Sequence, residues 1–106
     1  DLISEFIAIM DNFDLGLMAL EKSGPVEKGI YMIRVQIADI LKKRGLEKIE
    51  VKSGDEFNPQ IAEALSEVES EKPAGRIVDI IETGYRLYDK ILRPARVRIS
   101  KGQLTN

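Results

Sequence analysis

The 106-residue sequence contains neither cysteine nor histidine. Without cysteine the chain has no disulfide, no thiolate zinc site and no cysteine nucleophile. Without histidine it lacks the commonest general base and the usual metal ligand. These two absences argue strongly against an enzyme. We therefore expect no catalytic residues, no metal site and no cofactor.

Strong net charge and long apolar runs are also missing. The formal net charge is −2, which gives no general attraction to nucleic acid or to an anionic membrane. No apolar run approaches the roughly 20 residues of a membrane span, and no signal-peptide pattern opens the chain. The expectation is a cytoplasmic protein with one or two small domains, each marginally stable alone.

Two amphipathic helices are predicted before Gly45. Apolar residues of the first segment, Leu2 to Leu20, recur at steps of three and four, and those of the second segment follow the same rule. The break at Ser23-Gly24-Pro25 separates them, with Gly24 expected to cap the second helix and Pro25 to be its first residue. Lys42-Lys43-Arg44-Gly45 should end that helix.

A lone pair of such helices has no second layer to cover its apolar stripes. Leu2, Ile7, Ile9, Tyr31 and Val35 extend the apolar surface further. Pairing two hairpins across a two-fold axis as a four-helix bundle would bury it. We therefore predict a homodimer formed by a domain at residues 1–45. The expected interface residues are Ile3, Phe6, Met10, Phe13, Leu17, Ile30, Ile33, Ile37 and Ile40.

Residues 46–106 are predicted to form a small, mainly antiparallel β domain, so the fold class is α+β. In the first half of this domain, residues that favour turns separate the predicted elements. The expected elements are a strand at 46–51, a turn at 53–55, a helical turn capped by Asn58, a strand at 64–69 and a type I turn at 72–75 with Pro73 second.

The second half, Gly75 to Lys101, reads as short strands. A β-branched run from Ile77 to Ile81 should end in a two-residue hairpin turn at Thr83-Gly84. The return strand covers residues 85–88, a bend falls at Asp89-Lys90, and a short strand at 91–93 stops at Pro94. From Ala95 to Lys101 apolar and basic side chains alternate, with Ser100 on the basic, solvent-exposed face.

Charges in the β domain are segregated. Residues 55–71 hold six acids and no base, whereas residues 86–101 hold six bases and one acid. One interpretation is an internal ion-pair surface together with ordinary solubility charges. The other is a polarised docking face that steers association.

Three stretches resemble one known family in the order of its motifs. GYRLYDKILRPARVRIS, FNPQIAEAL and IMDNFDLGL are similar to the signatures of the GrpE family, the nucleotide exchange factors of bacterial Hsp70 (DnaK) chaperones. The resemblance implies a homodimeric co-chaperone that opens the chaperone's nucleotide-binding domain and promotes ADP release. It implies no direct binding of nucleotide, nucleic acid or membrane.

The same resemblance implies a set of partner-binding residues. Lys90 stands where the family has a turn-borne base that reaches the chaperone. The apolar positions of that face correspond to Phe57, Pro59, Ile81 and Ile99, and the small residue early in the second helix to Gly29. Each also has a structural interpretation, as core, as turn or as a helix glycine that costs about 1 kcal/mol relative to alanine.

The chain departs from the family pattern at several places. Ala8 replaces a proline of the first helix, and Ala62 and Asn58 replace the histidine and aspartate of the second motif. Asp89 replaces the glycine before the base. Ala8 should leave the first helix straighter, and Asp1 corresponds to the start of the bundle, after the position of the family's long N-terminal helix.

Two other functions remain open on the residues alone. Arg86, Arg93, Arg96 and Arg98 would suit a nucleic-acid-binding module, with Tyr85 and Tyr88 as its stacking platforms. The acidic half of the domain would repel phosphate. A purely structural dimerisation module is the other alternative.

Overall fold

The computed structural model describes residues 1–103, in which two helices precede six short strands. The elements are α1 (Leu2–Ser23), α2 (Lys28–Lys43), β1 (Leu46–Lys48), β2 (Ala62–Val68), β3 (Ile77–Glu82), β4 (Tyr85–Leu87), β5 (Lys90–Arg93) and β6 (Ala95–Ser100). The chain divides into two compact units, Asp1–Gly45 and the part from Leu46 onward. The predicted α+β class with mostly antiparallel sheets is confirmed. Residues 104–106 of the predicted β domain lie outside the described residues.

Helix α1 begins with a side-chain cap. The carboxylate of Asp1 accepts a 2.8 Å hydrogen bond from the backbone N–H of Ser4, which satisfies one of the free donors of the first turn. The helix continues to Ser23, and the backbone N–H of Gly24 bonds the carbonyl of Glu21. Gly24 adopts φ 137°, a conformation that suits glycine, so it terminates α1.

The predicted start of α2 is wrong by three residues. The helix begins at Lys28, its N-cap is Glu27, and no side chain caps it. Gly24 therefore does not cap α2, and Pro25 precedes the helix because residues 24–27 are used to reverse the chain. The predicted end is confirmed: α2 stops at Lys43, and Gly45 has φ 88°. Neither helix within residues 1–103 is both long enough and apolar enough to cross a membrane.

Two polar contacts show that α1 and α2 run antiparallel. The hydroxyl of Tyr31 donates to the Glu21 carboxylate at 2.6 Å, near the connection. Further along, Arg34 donates to both oxygens of Asp14, from Nε at 2.8 Å and from Nη2 at 3.3 Å. Moving forward along α2 thus means moving back along α1, as in an αα-hairpin.

The strands form two three-stranded sheets. In one, β6 lies between β2 and β3, and in the other β4 lies between β1 and β5. All neighbours are antiparallel except β2 and β6, whose parallel pairing was not predicted. The core of the β unit contains Ala62, Ile77, Ala95 and Val97, which come from all three strands of the first sheet.

The predicted hairpin at Thr83-Gly84 is wrong, because β3 and β4 belong to different sheets. Gly84 is instead required by a close approach of backbone. A Cβ atom there would lie 2.8 Å from the carbonyl carbon of Pro94 and 2.9 Å from Cα of Ala95. The chain thus passes from one sheet to the other at Gly84, where only glycine leaves room.

Several boundaries and turns also differ from expectation. Strand β1 stops at Lys48 and not at Val51, and β2 covers Ala62–Val68 and not residues 64–69. The turn after β2 places Pro73 first, since the N–H of Arg76 bonds its carbonyl. Its third residue, Gly75, has φ 88°, which is typical of a type II turn and not of type I.

The predicted cap by Asn58 is confirmed, and the predicted exposure of Ser100 to solvent is wrong. Asn58 does cap its turn: its side chain accepts from Gln60 N–H at 2.9 Å, and its carbonyl accepts from Ile61 N–H. Ser100, however, is buried. Its hydroxyl donates to the carbonyl of Lys72 at 2.7 Å, because the chain around Lys72 covers this end of β6.

Candidate partner-binding surface

Lys90 lies at the tip of the β4–β5 hairpin. Leu87 pairs with Lys90 across the hairpin, so the two-residue turn consists of Tyr88 and Asp89. The predicted bend at Asp89-Lys90 is therefore wrong by one residue, and Lys90 is the first residue of β5. Its side chain is exposed. A base at this position is available to a carboxylate on another protein.

Ile81 is exposed because β3 is irregular. Ile80 pairs with Val97 and Glu82 with Arg96, so Ile81 has no partner on β6. An extra residue of this kind bends the strand and changes the direction of the side chain. Ile81 is 53% exposed, although it belongs to an apolar run. The structure thus leaves an aliphatic side chain on the surface of the β unit.

Phe57 and Ile99 have a partly structural role. Both are half-buried and pack against the core cluster of Ala62, Ile77, Ala95 and Val97. Pro59, in the turn capped by Asn58, is exposed. The structure therefore brings Phe57 and Ile99 to the same core, and each keeps part of its surface in solvent.

Gly29 lies in the first turn of α2, in the helical unit. It is exposed, and a Cβ atom built on it would have no atom within 4 Å apart from its chain neighbours and the backbone of its own helix. Packing inside this unit therefore does not require a glycine at this position, in contrast to Gly84.

The predicted dimer residues differ in how much surface they leave uncovered. Met10 is 1% exposed within the single chain. Ile33 and Ile40 are 46% and 54% exposed, one heptad apart on α2. The remaining members are half-buried: Ile3, Phe6, Phe13, Leu17, Ile30 and Ile37. Among the predicted interface residues, Ile33 and Ile40 thus offer the most free apolar surface to a second copy, and Met10 offers little.

Ion pairs join strands within the β unit. Arg98 forms a bidentate pair with Asp79, its Nε donating to Oδ1 at 2.8 Å and its Nη2 to Oδ2. These hydrogen bonds lower the pKa of Asp79 and raise the pKa of Arg98. Arg93 pairs with Glu82 at 3.5 Å. Both acids belong to β3 and lie outside the acid-rich segment 55–71, in which Glu56 lies 3.5 Å from the guanidinium of Arg76.

The same contacts weaken the case for nucleic-acid binding. Tyr85 is buried, so its ring is not a stacking platform. The guanidinium of Arg93 lies 5.3 Å from the centre of that ring, and its Nε donates to the carbonyl of Thr83 at 2.8 Å. Arg93 and Arg98 are thus engaged within the fold. Within residues 1–103, no group of three or more carboxylates is placed to hold a metal ion.

Tyr88 and Gly84 are the positions whose roles the sequence did not indicate. The sequence pattern places Tyr88 in a strand, yet it occupies a turn with φ 52°. Nothing in the sequence marks a tyrosine as a turn residue. For Gly84 the signal was present but ambiguous, since glycine serves both tight turns and close backbone contacts.

Comparison with known proteins gives one consistent result. A family model described as GrpE matches residues 1–101. Protein GrpE of Methanosarcina barkeri is 40% identical over 101 residues, which cover 92% of this chain and 48% of that protein. Protein GrpE of Nitratiruptor sp. is 36% identical over 107 residues, 92% of this chain and 59% of that protein. Protein GrpE of Thermotoga maritima is 36% identical over 100 residues, 93% of this chain and 57% of that protein. The chain thus spans about half the length of the relatives it matches.

Proposed function

The chain belongs to the GrpE family, and from this premise we propose that it is a homodimeric, non-enzymatic co-chaperone of a cytoplasmic DnaK-type Hsp70. The helical unit, residues 1–45, forms the dimer. The β unit, from residue 46 onward, docks on the nucleotide-binding domain of the chaperone and promotes ADP release. The observation that carries this proposal is the family match over residues 1–101, which includes both units.

The proposed mechanism is thermodynamic linkage. A protein that binds the open nucleotide-binding domain better than the closed one shifts the population toward the open form. By reciprocity it weakens ADP binding by the same factor. Moving the open fraction from 1:99 to 99:1 requires about 5.5 kcal/mol of differential binding. ATP then binds the emptied cleft, favours the closed form and releases the co-chaperone. No catalytic group on this chain takes part.

The proposed contact surface on the β unit combines one cation with apolar side chains. Lys90 supplies the charge, and Ile81 and Pro59, two further positions that the family resemblance implies, are exposed. Phe57 and Ile99 contribute the part of their surface that the core leaves open. A docking site of this composition gains affinity from its aliphatic and aromatic groups and orientation from the charge.

Gly29 is proposed as a second contact, on the helical unit. Its exposed position and the empty space around it support a role in close approach of a partner's backbone, because packing within this unit does not explain the glycine.

Replacement of Lys90 by glutamate tests the proposed docking site. The side chain is exposed, so the free energy of unfolding should change by less than about 0.5 kcal/mol. If Lys90 faces a carboxylate, charge reversal should weaken binding by about 2 kcal/mol or more. ADP release from the Hsp70 of the same genome should slow about tenfold at sub-saturating concentration of the variant. Stopped-flow release of a fluorescent ADP analogue measures this rate.

Arg96→Glu is the matched control for this experiment. Arg96 is exposed on β6 and belongs to the same basic segment, but it is not a proposed contact. Arg98 is unsuitable as a control because it pairs with Asp79. Arg96→Glu should alter release only slightly and in a salt-dependent way. Equal rates for Lys90→Glu and the wild type would refute the assignment of Lys90.

A further inference from the structure

Tyr88 is the most exposed aromatic side chain among the large hydrophobic residues of the described chain. It is 70% exposed and occupies the first position of the β4–β5 turn. Its φ of 52° lies in the left-handed region, where bulky residues are uncommon and glycine, asparagine and aspartate are favoured. The turn thus carries a large aromatic residue at a position that suits a small or polar one.

Among the described residues, the Tyr88 ring makes no specific contact that would stabilise the fold. In the part of the chain that the structure describes, no hydrogen bond, ion pair or ring contact involves the Tyr88 side chain. Asparagine would keep the hairpin with less backbone strain and without an exposed apolar ring. Strain of this kind is found at functional sites, where the conformation serves a contact outside the chain.

The surroundings of Tyr88 suit a binding surface. Leu92 has no partner on β4, since Arg86 pairs with Ile91 and Tyr85 with Arg93. Leu92 and its neighbour Ile91 are both exposed, and they follow Lys90 on β5 of the same hairpin. A hairpin that carries an exposed aromatic ring, two exposed aliphatic side chains and one cation has the composition of a binding hot spot.

We propose that Tyr88 is a specificity-determining anchor of the hairpin, which rests on the proposed function. Its ring enters an apolar pocket on the nucleotide-binding domain of the Hsp70, and a carboxylate at the edge of that pocket faces Lys90. Tyrosine suits this role because its ring buries a large area with few rotatable bonds and its hydroxyl can remain at the rim. An Hsp70 without such a pocket should bind this chain less tightly.

Three variants of the full chain test the proposal. Tyr88→Asn removes the ring and suits the left-handed conformation, so the hairpin should remain intact. Tyr88→Phe keeps the ring and removes only the hydroxyl. Leu65→Asn is the matched control: Leu65 is 47% exposed on β2, where it too falls at a register shift, but it lies outside the proposed surface.

The readout is binding to the isolated nucleotide-binding domain of the Hsp70 encoded in the same genome, measured by calorimetry, together with the rate of ADP release. Tyr88→Asn should raise Kd about tenfold or more, which is typical of a hot-spot truncation. Tyr88→Phe and Leu65→Asn should stay within about threefold of the wild type. The melting temperature of Tyr88→Asn should equal or exceed that of the wild type.

The outcomes separate this proposal from the general one. If the wild-type chain neither binds nor accelerates ADP release, the proposed function fails and the anchor fails with it. If the wild type is active and Tyr88→Asn is equally active, only the anchor is refuted. A change in sedimentation with unchanged chaperone binding would assign Tyr88 to contacts between copies of the chain, which also refutes it.

Discussion

At the residue scale, Asp79 and Arg98 connect β3 to the central strand β6 through a bidentate ion pair. The hydrogen bonds from Arg98 are the main cause of the lowered pKa of Asp79, and its positive charge adds to the effect. The pair is partly exposed to solvent, so water and salt screen it. Its contribution is measurable through its dependence on pH.

Asp79→Asn should therefore destabilise the chain at neutral pH and not in acid. Because the folded pKa is below the ordinary value of 3.8, the pair stabilises the fold fully above that pH. The contribution is lost as the pH falls through the lowered folded pKa. Urea unfolding at pH 7 and well below pH 3.8 measures the difference between variant and wild type. Glu63→Gln is the control, because Glu63 is an exposed residue of β2. A difference in stability between Asp79→Asn and the wild type that does not change with pH would contradict the prediction.

Gly84 gives a second prediction at this scale. Alanine there would place Cβ within 2.8–2.9 Å of the backbone of Pro94 and Ala95, which is too close for real Cβ contacts. The strand must shift, and overpacking of this kind costs about 1–3 kcal/mol. Thermal unfolding should show a clear loss of stability for Gly84→Ala. Gly16→Ala on α1 should not destabilise the chain, because the new Cβ would meet no atom within 4 Å apart from its chain neighbours and its own helix backbone.

At the element scale, the first turn of α2 contains the exposed Gly29, and no side chain caps this turn. Gly29→Ala should leave the helix as stable as before or stabilise it by up to about 1 kcal/mol, since alanine favours helix. If a partner's backbone approaches this position, the added methyl group should weaken chaperone binding. Circular dichroism and calorimetric binding are the two measurements. Unchanged binding would remove Gly29 from the contact surface and leave it a tolerated helix glycine.

The strands differ in how well the alternation of apolar and polar residues predicts which side chains are buried. In β6 apolar and basic residues alternate, and Ala95 and Val97 are buried as expected. In β3 four of the first five residues are apolar, so alternation does not fix a register. The structure places register shifts at Val78 and Ile81 in this strand. The exposure of Ile81, and with it the candidate surface, follows from these shifts.

At the scale of the whole molecule, the exposed apolar residues of α2 bear on assembly. Ile33 and Ile40 leave about half of their surface free in the single chain, whereas Leu41 is buried. Contact with a second copy is the proposed way to cover them, and a four-helix bundle supplies the geometry. The proposal predicts that a charge at Ile33 harms the dimer more than the hairpin.

Ile33→Asp should therefore yield folded monomers or unfolded chain at micromolar concentration, whereas the wild type should sediment as a dimer. An uncompensated charge buried in an apolar interface costs several kcal/mol, which is enough to dissociate a small bundle. Met32→Asp is the control, because Met32 is the adjacent residue, lies about 100° away around the helix and is not one of the predicted interface residues. A well-folded wild-type monomer at that concentration would contradict the four-helix bundle.

The sequence by itself determined the elements whose signal is local. The two helices, the stop at Gly45, the Asn58 cap and the alternation of β6 follow from periodicity and from residues with strong conformational preferences. The family was also evident from the sequence, because its motifs are short, ordered segments. The helices, the cap and the alternation depend on neighbours within about four positions in the chain.

Only the tertiary structure decided which strands pair. Two features depend on residues distant in sequence: the parallel pairing of β2 with β6, and the placement of β3 and β4 in separate sheets. The residue pattern of a short strand does not specify which other strand it pairs with. The same non-local packing makes Gly84 a contact glycine and buries Ser100 under the chain at Lys72.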